Sequence, residues 1–154
     1  MSQGQPTVTP PPGEWAARRT LWTAWPSHEH LWGEATEQAR EEVGTMVRLL
    51  AQPSPATGAP QGDRVVVLAA NEESVKDAEA ALGRAAHVIL EPFGDIWLRD
   101  TGPVFVRRAN GAGLRAVDFN FNGWGGKYEL PGDETVAGQI GAYDGADLER
   151  HDVI

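Results

Sequence analysis

The run Arg64-Val-Val-Val-Leu-Ala-Ala70 constrains the fold more than any other segment, because the unbroken apolar stretch after its arginine must be buried on both faces. Its β-branched content favours a strand. Asn71 follows at once, with Glu72 and Glu73 behind it. An asparagine there can accept a hydrogen bond from an amide of the first helical turn, and acids favour the positive end of the helix dipole. The helix so predicted runs to about Gly83, and Ala86 to Leu90 returns as a strand. Strand, helix and strand over residues 64–90 form a layered α/β unit.

The flanking segments extend this pattern. Residues 1–13 (MSQGQPTVTPPPG) hold four prolines and two glycines and few residues able to enter a core, so they read as a disordered lead. Order is expected from about Glu14-Trp15, over residues 14–154. Thr20 to Trp25 is short, apolar and aromatic, and Pro26 closes it as a buried strand. Ala35, Ala39, Val43, Met46, Val47 and Leu50 recur at helical spacing, which predicts an amphipathic helix from about Glu34 to Ala51 despite Gly44. Gln52 to Asp63 is rich in proline, glycine and alanine and reads as a flexible surface loop. Val104–Arg108 and Leu114–Phe121 flank a glycine-bearing turn at residues 109–113 and predict a hairpin. A shorter helix is expected from about Asp133 to Tyr143, and Val153-Ile154 look like the start of a further strand.

Composition removes several classes of function. A formal net charge of -9 lacks the basic footprint of a nucleic-acid binder. An acidic field steers small cations, and it also serves plain solubility. No apolar run approaches the ~20 residues of a membrane helix, and no basic, apolar leader begins the chain, so no membrane partner and a cytoplasmic location are expected. The chain has no cysteine, which rules out disulfides, thiolate metal sites and a thiolate nucleophile among these residues.

Three segments could carry chemistry. Gly94-Asp-Ile-Trp-Leu-Arg-Asp-Thr-Gly-Pro103 sets acids, a tryptophan and an arginine between two strands. If it were extended, Asp95, Trp97 and Arg99 would share one face, and a turn near Asp100 would instead bring Trp97 and Asp100 together. A carboxylate is the natural acceptor for a planar guanidinium, and an indole face adds cation–π attraction. The same residues also suit structural ion pairs and core filling. In Asp118-Phe-Asn-Phe-Asn-Gly-Trp-Gly-Gly-Lys-Tyr128, alternation suggests a strand leading into glycines that permit positive φ. Lys127 lacks the spacing of a phosphate loop. In Thr20 to Trp32, His28-Glu-His30 offers at most two imidazoles, so it reads as a surface pair with no metal site, and the tryptophans read as core and loop anchors.

Taken in order, these segments resemble the agmatine deiminase family. Glu14-Trp-Ala with Thr20-Leu-Trp-Thr-Ala-Trp-Pro26 looks like the opening of its members, Asp95-Ile-Trp-Leu-Arg-Asp-Thr-Gly-Pro-Val-Phe-Val106 like their internal motif, and Phe119-Asn-Phe-Asn-Gly-Trp-Gly-Gly-Lys-Tyr128 like a third. Arg18 departs from the family, where histidine is common. The resemblance implies a guanidine-modifying (pentein) α/β propeller, of which this chain would supply about two of five ββαβ modules. It implies a C–N hydrolase acting on amidines, converting agmatine to N-carbamoylputrescine and ammonia for putrescine and polyamine synthesis, with no metal or organic cofactor. Asp100 matches the aspartate that binds the substrate guanidinium, and Trp97 the aromatic lining that pocket. Asn120, Trp124 and Gly125 match residues that shape the site.

In the family a glutamate, a histidine and a nucleophilic cysteine lie further along. The chain stops at Ile154, where the glutamate motif is expected, so the expectation is an N-terminal fragment with no catalytic residue of its own. Two alternatives stay open: a fragment of a peptidyl-arginine deiminase, and a non-catalytic binding or assembly module. A complementing C-terminal chain or a second copy are the macromolecular partners to test.

Overall fold

The computed structural model describes residue 13, residues 15–108 and residues 113–152. The lead at residues 1–12, most of the turn at 109–113 and the strand start expected at Val153-Ile154 lie outside the described residues. The chain divides into two compact units. One comprises Ala17–Leu98 with Leu130–Gly132; the other comprises Arg99–Glu129 and Asp133–Ile154 with the first sixteen residues.

The unit built on Ala17–Leu98 is a parallel α/β layer. Strands β1 (Leu21–Ala24), β2 (Val65–Ala69) and β3 (Ala86–Leu90) lie in that order, with Leu21 opposite Val65 and Val65 opposite Ala86. Strand β2 is central and every residue in it is buried, which is why its sequence is apolar without alternation. Among the described residues, strand β1 has a neighbouring strand on one side only. Of its four residues just Ala24 is buried, so the buried strand expected there is only half-buried.

Two helices cover one face of this sheet. A single turn, α1 (Glu29–Trp32), and a 3-10 turn lead into α2 (Thr36–Ala51). Ala39, Val47 and Ala51 are buried while Ala35 and Met46 are exposed, so the buried stripe is narrower than the apolar pattern. Gly44 is also buried, facing the Arg48 guanidinium. Helix α3 (Glu72–Leu82) begins as expected: Asn71 is extended, and its side chain accepts from Ser74 N at 2.9 Å. Trp25, Val47, Ala51, Val65, Val67, Ala78 and Leu82 form the core. The Trp25 indole donates to Asp77 at 2.8 Å, satisfying its polar edge inside that core. Residues 52–63 form a loop closed by a bridge between Pro53 and Pro60.

The second unit has a ββαβ order. Strand β4 (Val104–Arg107) pairs antiparallel with β5 (Leu114–Asp118), α6 (Val136–Tyr143) crosses over, and β6 (Asp147–Arg150) pairs parallel with β5. Val136, Ala137 and Ile140 of α6 and Ala116 of β5 are buried. Gly141 packs so closely that a Cβ there would lie 2.9 Å from the Ala116 Cβ. Two turns complete the element list, α4 (Leu98–Thr101) and α5 (Gly123–Gly126).

Three readings of the sequence are corrected. Residues 94–101 bend and then turn into α4, so the extended alternation of Asp95, Trp97 and Arg99 does not exist. Strand β5 ends at Asp118, not Phe121, because Asn120 takes a positive φ of 35° that no strand accommodates. Strand β6 was not expected, since Asp147-Leu-Glu-Arg150 has no apolar alternation.

Candidate functional site

Asp100 and Trp124 meet within the ββαβ unit. The Trp124 indole Nε1 donates to Asp100 Oδ1 at 3.3 Å, and both side chains are exposed. The bond depends on an unusual backbone. All four residues of α5 have positive φ: 62° at Gly123, 52° at Trp124, 77° at Gly125 and 76° at Gly126. A left-handed turn is tolerable here because three of its four residues lack a Cβ; the fourth, Trp124, carries a strain of about 1–2 kcal/mol.

The surrounding chain holds that strain in place. Asn122 Oδ1 accepts from Gly125 N at 3.0 Å, and Lys127 N donates to Gly123 O at 2.9 Å. Gly123 is buried, and a Cβ on it would meet Tyr128 O at 2.5 Å, so only glycine fits. Phe121 and Tyr128 set their rings edge-to-face against Trp124, with centroids at 4.9 Å and 6.1 Å. An indole N–H aimed at one carboxylate oxygen restricts the rotation of that carboxylate. Asp100 is thereby presented to solvent as an oriented anion.

The remaining residues singled out in the sequence fall as follows. Gly125 lies in the left-handed turn with open space where a Cβ would go. The Asn120 side chain donates to Asp152 at 3.4 Å, while its own amide donates to Asp118 Oδ1 at 3.1 Å. Trp97 belongs to the other unit, is about half exposed, and donates its indole N–H to Asp95 Oδ2 at 2.9 Å. His28 Nε2 meets the Phe93 carbonyl at 2.8 Å, so that nitrogen carries a proton, and the His28 and His30 rings pack edge-to-face. Among the described residues no three His, Asp or Glu side chains form a cluster able to hold a metal ion. Among them, too, no helix is long and apolar enough to cross a membrane.

For two further residues the partners were not legible beforehand. Asp118, buried at the end of β5, accepts from Asn120 N and from Arg150 Nε (2.9 Å), which starts the turn toward α5. An aspartate two residues before an asparagine in a glycine-rich stretch is a recognisable local turn signal. Asp95 is the other; its two indole donors are far apart in sequence. On β6, Glu149 bonds Arg115 and His151. Burial alone would raise its carboxyl, but the Arg115 bond and charge, with smaller ones from His151, outweigh this and hold it below the usual range.

Comparison with known proteins agrees with this architecture. A sequence model described as Porphyromonas-type peptidyl-arginine deiminase matches residues 11–154. The agmatine deiminase of Stutzerimonas stutzeri (strain A1501) is 35% identical over 117 residues, 75% of this chain and 29% of that protein. The structure of an agmatine deiminase of Enterococcus faecalis aligns with a TM-score of 0.79 at 24% identity, covering 95% of this chain and 38% of that one. The agmatine deiminase of C. jejuni aligns with a TM-score of 0.72 at 20% identity, covering 96% of this chain and 40% of that one. The chain spans 29–39% of the length of the first curated relatives it matches. The structural share is what two modules of a five-module α/β propeller occupy, and this is the fold of the chain. Sequence model, relatives and fold agree, and the chain belongs to the agmatine and peptidyl-arginine deiminase family.

Proposed function

We propose that this chain supplies guanidinium-binding residues to an agmatine deiminase, which hydrolyses agmatine to N-carbamoylputrescine and ammonia on the way to putrescine in the cytoplasm. The observation that carries the proposal is the Trp124–Asp100 bond, because it commits a strained backbone to orienting one exposed carboxylate. Asp100 accepts N–H groups of the guanidinium. The motif resemblance assigns Trp97 to the aromatic lining of a guanidinium pocket, and Asn120 and Gly125 to shaping the site. The 154 residues hold no cysteine, so the covalent step falls to no residue of this chain.

Peptidyl-arginine offers the same guanidinium, and the family description names it; identity to an agmatine deiminase favours the free amine. An exposed carboxylate gains little from a surface ion pair, so affinity of the chain for agmatine is expected to be about millimolar. NMR titration of the chain decides the point. Agmatine should shift the Asp100 and Trp124 resonances, putrescine (no guanidinium) should not, and Asp100→Asn should remove the response. Equal shifts from both ligands would sink the proposal. A blocked arginine peptide that outcompetes agmatine would transfer it to the peptidyl branch.

A further inference from the structure

We propose that Asp95 is a positioning residue: it clamps the indoles of Trp97 and Trp32 and does not itself take the substrate. The inference rests on the reading that Trp97 lines a guanidinium pocket. Asp95 lies five residues before Asp100 in the same motif, and chemistry alone would make either carboxylate a guanidinium acceptor. Their surroundings separate them.

Asp95 is half-buried, and both of its oxygens are engaged. Oδ2 accepts the Trp97 indole at 2.9 Å, and Oδ1 accepts the Trp32 indole at 3.2 Å and the Ile96 amide at 2.8 Å. A carboxylate has about four acceptor positions, and three N–H groups already use most of them. A guanidinium taking two more would strip the indoles of their partner, and an abandoned donor costs more than the new bond returns. Asp100, by contrast, is exposed and accepts a longer bond from Trp124.

The clamp also has a structural reason to be accurate. Trp32 ends α1, while Asp95 and Trp97 follow β3, so one carboxylate ties the two segments together. His28 ties the same segments at a second point through the Phe93 carbonyl. Trp97 is about half exposed, and the Asp95 bond fixes where the polar edge of its indole points. An aromatic face attracts a cation only when the cation sits over the ring, so a fixed indole matters for binding.

The test uses the full chain and follows indole N–H resonances, assigned with Trp32→Phe and Trp97→Phe. In Asp95→Ala both the Trp32 and Trp97 signals should move, and the Trp97 N–H should exchange with water about tenfold faster. In Asp95→Asn, which keeps one acceptor oxygen, one indole signal should stay near its wild-type position. That variant also serves if alanine impairs folding, with β2 amide signals as the fold control. Agmatine should bind Asp95→Ala several-fold more weakly than wild type yet still shift Asp100. Unmoved indole signals in both variants would overturn the clamp, and so would loss of the Asp100 response with the indoles in place, since Asp95 would then be a ligand. If wild type itself ignores agmatine while the indole signals respond, the guanidinium reading fails and the clamp stands.

Discussion

The Trp124 indole donates to the Asp100 carboxylate at 3.3 Å, from a backbone held in the left-handed region at φ 52° and ψ 48°. The two residues stand 24 positions apart, so the bond is not a local property. Strain of this kind persists only where surrounding contacts enforce it.

Trp124→Phe keeps the ring against Phe121 and Tyr128 but removes the N–H. The proposed site then loses one charge-assisted bond, and agmatine should bind roughly five-fold more weakly, a change of about 1 kcal/mol. Calorimetric or NMR titration against wild type reads this directly. An unchanged Kd means that the bond does not serve binding.

Two neighbouring glycines should respond very differently to alanine. Gly123→Ala places a methyl 2.5 Å from Tyr128 O at a φ of 62°, so both clash and strain apply. A loss of about 2–4 kcal/mol is expected. Gly125→Ala meets nothing within 4 Å and bears only the cost of a φ of 77°, about 1 kcal/mol. Urea denaturation of the pair checks the ranking; equal losses would mean that the turn relaxes freely.

Asn71→Ala removes the oxygen that accepts from Ser74 N and should destabilise the parallel unit by about 1 kcal/mol. Serine at the same position should recover most of the loss. Hydrogen exchange at the Ser74 amide locates the effect at the helix start.

Acid should weaken the chain partly through Glu149, whose carboxyl is held below its ordinary value of 4.5 by Arg115 and His151. A lowered carboxyl binds its proton more readily in the unfolded chain. Its stabilisation is therefore fully present above the usual glutamate range and fades as the pH falls through the lowered folded value. Glu149→Gln should lower stability at pH 7 and differ less from wild type below pH 4, a window set by that shift. Melting curves at both pH values test this, and a gap independent of pH would refute the ion pair as its source.

How far the fold was legible depended on what stabilises each element. Strand β2 and helix α3 announce themselves, because burial and the Asn71 cap are written in adjacent residues. Strand β6 does not. Asp147, Glu149 and Arg150 are polar; Glu149 and Arg150 hold to β5 through ion pairs with Arg115 and Asp118, and Asp147 pairs with Arg108 just past β4. Cross-strand charge pairing leaves no periodic apolar trace. The Phe-Asn-Phe-Asn alternation failed for the opposite reason: its pattern suits a strand, but the Asp118 carboxylate captures the Asn120 amide and turns the chain.

By itself the sequence determined the α/β class, the two crossover helices, the candidate Asp100 and Trp97, and the family, because burial patterns, caps and motif residues are carried by neighbours in the chain. The tertiary structure alone decided which partners those residues take: Trp124 for Asp100, and Asp95 for Trp97 together with Trp32. Those choices join distant segments through single hydrogen bonds. Such bonds depend on ångström-scale placement by packed elements, and no local pattern of residue types encodes that.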